Sequence, residues 1–76
     1  MIKEHDRIVL SKDLPAEGLL AGDVGTVVHI HNKGKAFEVE FMTLEGETVT
    51  VVTLPSSQIR AVGKRDIAHA RKLAIS

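Results

Sequence analysis

The sequence has no cysteine, tryptophan or tyrosine, and only two phenylalanines and two prolines. Without cysteine there is no disulfide, no thiolate metal site and no thiol nucleophile. Two aromatics are too few to line a polyproline groove or to stack successive bases of a nucleic acid. No apolar run approaches the roughly 18–20 residues that cross a bilayer as a helix. The opening MIKEHDRIVL has no long apolar core behind its charges, so neither a signal peptide nor a membrane partner is expected. A small disulfide-free chain fits a reducing compartment, and the expectation is a cytoplasmic protein.

Seventy-six residues hold one core, and so short a chain gains from a partner or from a second copy in a homo-oligomer. Net charge is zero but unevenly placed. Residues 1–59 carry five basic against nine acidic side chains, a net of −4, and residues 60–76 carry five basic against one acidic, a net of +4. The chain therefore reads as an acidic body with a basic tail.

From Arg7 to Val62 the hydrophobic period is two, the signature of half-buried strands. Ile8 and Leu10 alternate with Arg7 and Val9; Val28 and Ile30 alternate with Val27, His29 and His31. Phe37, Val39 and Phe41 alternate with Glu38 and Glu40, and Val49 and Val51 with Thr48, Thr50 and Val52. A last short run, Gln58 to Val62, places Ile59 inward. Turn residues separate the runs: Asn32-Lys33-Gly34-Lys35, Leu44-Glu45-Gly46-Glu47 and Leu54-Pro55-Ser56-Ser57. The first connection, Leu14 to Ala21, is longer. These signals predict an all-β, five-stranded SH3-like barrel over residues 1–63, since a closed sheet suits a chain with few large side chains. After Gly63 the segment KRDIAHARKLA is rich in helix formers, with Ile67, Ala70 and Leu73 or Ala74 at helical spacing. It predicts a short basic C-terminal helix within residues 64–76.

With that order in place, GTVV at 25–28 followed by EVEF at 38–41 resembles a small bacterial family of unknown function that carries this motif pair. More broadly, DRIVL, GDVGTVV and FEVEF are similar to the SH3-like domains of nitrile hydratase β subunits. They are also similar to the barrel subunits that help dock ferredoxin in photosynthetic complexes. The resemblance implies the barrel fold and a habit of acting as a partner; it implies no catalytic residue.

The stretch GDVGTVVHIH at 22–31 invites two site readings. A phosphate cradle needs its glycines to run into a helix, whereas Gly22 and Gly25 run into a β-branched strand, so they are read as turn and bend. His29 and His31 share a strand face and are the one candidate metal pair, with Glu38 or Glu40 of the next strand as further ligands. Cross-strand attraction between His and Glu explains the same pattern without metal. Ser11, Ser56 and Ser57 belong to no nucleophile motif. No cofactor is implied and no enzyme is expected.

What remains is a non-enzymatic protein-interaction module, an accessory or antitoxin-like subunit of another protein. Its contact residues are expected at Leu19 and Leu20 in the first loop and at Arg60, Lys64, Arg65, Ile67, Arg71 and Lys72 toward the tail, with Asp23, Glu38, Glu40, Glu45 and Glu47 as an acidic contact face. The bland alternative has the leucines capping the barrel and the tail packing back over it. A nucleic-acid or ribosome-associated KOW-like module, holding phosphates through the same basic tail, is the competing function. A metal- or ligand-binding enzyme subunit using His29 and His31 is the third.

Overall fold

Phe37, Val39 and Phe41 are all buried and set the face of strand around which the chain is organised. The computed structural model describes residues 1–73. It is all-β, with β1 (Arg7–Leu10), β2 (Val24–His31), β3 (Ala36–Met42), β4 (Thr48–Pro55) and β5 (Ile59–Ala61). Single 3-10 turns lie at Pro15–Glu17, Asn32–Gly34 and Ser56–Gln58. The five strands form one antiparallel sheet in the order β4-β3-β2-β1-β5.

Strand β2 serves two neighbours, pairing with β1 through Val24–Thr26 and with β3 through Gly25–His31. A strand shared in this way bends, and two local features supply the bend. Val27 stands opposite Val39 while His29 stands opposite Glu38, so Val28 is an extra, bulged residue. The bulge resets the alternation: Val27 faces the core before it and Ile30 packs against the core after it. Val28 itself is 38% exposed, which corrects its expected place on the inward face beside Ile30. The second feature is Gly25, where a Cβ would meet Val39 Cγ1 at 2.5 Å and Phe41 Cε1 at 2.9 Å.

The core cluster is Ile8, Leu10, Leu19, Val27, Phe37, Val39, Phe41, Leu54 and Ile59, drawn from every strand and from the first loop. Each such side chain contributes roughly 1.5–3 kcal/mol of transfer free energy, an upper figure because unfolded chains are already partly compact. In β1, lying between β2 and β5, Ile8, Val9 and Leu10 are all buried rather than alternating. In β4 the pairing with β3 chooses the face. Thr50, Val52 and Leu54 oppose Phe41, Val39 and Phe37, which leaves Val49 and Val51 on the outer side. At the β2–β3 hairpin Asn32, Lys33 and Gly34 all take positive φ (50°, 56° and 95°), so a lysine shares the conformation expected of its two neighbours.

Two further expectations are corrected. The sheet is not closed: β4 and β5 are its two edges and do not pair with each other. Residues 64–73 form no helix; a turn at 64–65 is followed by irregular chain. The cause is local. Eleven residues are marginal as an isolated helix, and ion pairs at Asp66 and Arg71 tie the segment to the sheet instead. Residue 74, expected in that helix, lies outside the described residues.

Gly25→Ala drives a methyl group into Val39 and Phe41, and overpacking of this kind removes about 1–3 kcal/mol. Urea unfolding will show the midpoint falling with the slope unchanged; an unchanged midpoint would contradict the close approach.

Candidate functional site

β4 carries the sequence TVTVVTLP without a charged residue. One of its edges pairs with β3, and the other has no strand partner among the described residues. Two ends of that free edge are blunted. Phe41 opposes Thr50 and Met42 opposes Thr48, so Val49 is bulged, and Pro55 closes the other end without an N–H to offer. Between them Thr50–Leu54 is open.

The first loop runs beside this edge. Leu14 and Leu19 exchange backbone hydrogen bonds (2.9 and 3.1 Å) across the turn Pro15–Glu17, closed by Gly18 at φ 72°. That closure sends Leu19 into the core, 2% exposed, and turns Glu17 toward β4. Glu17 Oε1 accepts a hydrogen bond from Thr50 Oγ1 at 3.1 Å. On one side of this bond a groove is lined by Leu14, Val51–Leu54 and Gln58; on the other a second groove is lined by Pro15, Leu20, Val49, Arg71 and Leu73. Glu17 borders both, and together the two shallow grooves make an interrupted trough along β4 between Val49 and Leu54.

The tail is tethered at two points. Arg60 donates from both terminal nitrogens to the two carboxylate oxygens of Asp66 (2.8 and 2.8 Å), and Gly63 N–H donates to the same carboxylate at 2.6 Å. The hydrogen bonds from Arg60 and then from Gly63 hold Asp66 well below the usual carboxylate range and raise Arg60. Further along, Arg71 Nε and Nη2 donate to Asp23 at 2.8 and 2.6 Å, and Nη2 also donates to Gly18 O at 3.1 Å. The Arg71 hydrogen bond lowers Asp23 from its ordinary value, outweighing the opposing effect of burial, and raises Arg71. The fork geometry on both carboxylates is the arrangement arginine makes best.

The expected contact residues thus separate. Leu19 is a core residue and is removed from the surface set. Leu20 is 44% exposed and lines the trough. Arg60 and Arg71 are committed to Asp66 and Asp23, whereas Lys64, Arg65 and Lys72 make no ion pair among the described residues. Ile67 is 90% exposed and touches no apolar cluster. The residues that sequence reasoning missed are Glu17, Thr50, Val51 and Val52, whereas Asp23 belonged to the expected acidic face. A signal was present for β4, because Thr48 to Ile59 is the longest stretch without charge.

His29 and His31 lie with ring centroids 4.6 Å apart and edge to face. They address different carboxylates: His29 Nδ1 is 3.8 Å from Glu4 Oε2, and His31 Nε2 is 3.7 Å from Glu38 Oε2. Glu40, the other ligand suggested by sequence, accepts a hydrogen bond from Thr48 Oγ1. Among the described residues no three His, Asp or Glu side chains converge on a point that would hold a metal ion.

A family model described as Domain of unknown function (DUF4926) matches residues 4–61. The chain belongs to this family. The DUF4926 match begins at Glu4, beside His29, and ends at Ala61, the last residue of β5. It contains the trough wall from Leu14 to Leu20 and all of β4, and it stops short of the tethered tail. No curated protein and no solved structure matches the chain. Among the described residues no helix is long and apolar enough to cross a membrane.

Because the folded-state pKa of Asp23 lies below its ordinary 3.8, the stabilisation from the Arg71 pair is complete above that value. It is lost as pH falls through the lowered one. The Arg71 Nε–H resonance will hold its position from neutral pH down to about pH 4 and move only below it. Movement centred above pH 5, or none on full acidification, would contradict the tether.

Proposed function

We propose that the chain is a non-enzymatic protein-interaction module that accepts an extended segment of a partner along β4. It acts as an accessory or antitoxin-like subunit of another protein in the cytoplasm. One observation carries this reading: Thr50–Leu54 offers an uncharged strand edge, unpaired among the described residues, beside a trough. An incoming strand would find its backbone hydrogen bonds there, and side chains at alternate positions would enter the trough. Proteins that keep an edge strand solitary blunt it with charge, proline, bulges or a covering loop; β4 is blunted at its two ends and carries no charge between them. The strand order, the bent β2 and the short 3-10 turn before β5 support an SH3-like architecture whose seam is left open.

The competing function, nucleic-acid or ribosome binding through the tail, draws on fewer residues than its sequence suggested. Two of the five basic side chains are internally paired, leaving Lys64, Arg65 and Lys72 to meet phosphates. We therefore favour a protein partner.

Selection of binders from a random-peptide display library tests this directly. Enriched peptides will perturb the NMR amide resonances of Thr50–Leu54. Val51→Lys, at a position 51% exposed, will weaken them by about tenfold or more while the thermal midpoint holds. Peptides that map to the histidines or the tail, or affinity indifferent to Val51→Lys, would overturn the proposal.

A further inference from the structure

The trough is asymmetric in charge, and the asymmetry specifies an occupant. Its walls carry the acidic Glu17 at mid-length, and Asp23 stands at the tethered end. The body around it, residues 1–59, has a net charge of −4. Among the described residues Arg71 is the one basic side chain lining it, and Arg71 comes from the tail rather than from the walls of the sheet and first loop. Arg71 and Leu73 stand two positions apart and both line the same end of the trough, beside Leu20 and Val49. In extended chain, residues two apart share a face. A cation on Asp23 therefore brings an aliphatic side chain against Val49 and Leu20 as its companion.

We propose that the partner segment is an extended stretch in which a basic residue and a large aliphatic residue stand two positions apart, and that Arg71 and Leu73 fill that role within the chain. This deepens the strand-addition reading and rests on it. The basic residue takes the Asp23 carboxylate and the Gly18 carbonyl, the aliphatic residue takes the Leu20–Val49 end, and the rest of the segment continues along Thr50–Leu54. The tail is then the resident competitor. A partner must displace Arg71, so its apparent affinity falls by the fraction of time the tail is seated.

The probe is a synthetic peptide of residues 64–73, KRDIAHARKL, titrated into the full-length chain and followed by NMR. Arg71→Ala in the full-length chain unseats the resident tail, at an exposed position outside the core. The peptide will bind this variant about five- to tenfold tighter than it binds the unaltered chain, shifting the amides of Gly18, Leu20 and Val49. A peptide with its arginine at position 71 replaced by glutamate will not bind either. Equal affinity for the two chains, retained binding of the glutamate peptide, or shifts confined to other surfaces would each overturn the proposal. Failure of the strand-addition reading is distinguishable. Binding to the Arg71→Ala chain that is unaffected by adding Val51→Lys removes strand addition but keeps the Asp23 pocket. Display-selected peptides that use β4 but lack the basic–aliphatic spacing keep strand addition and remove the specificity.

Discussion

Everything in this small sheet depends on how β2 bends. One strand has to pair with β1 at its start and with β3 along nearly its whole length, and a flat strand would splay those neighbours apart. Val28 is squeezed out as a bulge, and Gly25 lets Val39 and Phe41 close over the backbone. With β2 folded over, residues from all five strands meet in one core. The same bend decides which residues are outside it: Val28, His29 and His31 fall on the outer side because the alternation restarts at the bulge.

The two edges of the sheet, β4 and β5, are not joined, which leaves an interval between them. The first loop fills part of the interval, with Leu19 in the core and Leu14 and Glu17 along the rim. Glu17 reaches the edge through Thr50, and Arg71 ties the tail down at Asp23. A trough with Glu17 on its wall, Asp23 at one end and, among the described residues, an unpaired strand edge on one side follows from that geometry. Strand addition is the binding mode we propose for this surface, in which main-chain groups would provide affinity and alternate side chains selection. The basic tail, set against an acidic body, already meets the charge requirement. Two of the five cations, Arg60 and Arg71, are partners of the chain's own carboxylates, while Lys64, Arg65 and Lys72 make no ion pair among the described residues.

Much of the fold was legible in the residues. The EVEF strand with Phe37, Val39 and Phe41 inward, the positions of the hairpins and the five-strand count all follow from period and turn chemistry. The open seam between β4 and β5 was not legible, and neither were three further features, each for a physical reason. A bulge adds one residue to one strand, and no periodicity marks where it falls, so Val28 was placed on the wrong face. The tail has helical spacing, but two arginine–aspartate forks reach it from elsewhere in the chain, at Arg60 and Asp23. Spacing within eleven residues carries no information about them. Leu19 looked like a loop leucine available to a partner because only the Leu14–Leu19 closure shows that it points into the core. The trough was half legible: the uncharged run in β4 is visible, and its neighbour Glu17 is not.

The account stands on β4 having one bonded and one unbonded edge. Amide hydrogen exchange measured residue by residue by NMR reads that property directly. Between Thr50 and Leu54 the account predicts alternation, with every second amide protected by β3 and those between exchanging far faster, as amides without a partner do. Uniform slow exchange across Thr50–Leu54 in the isolated chain would mean that the edge is already paired, and would contradict it.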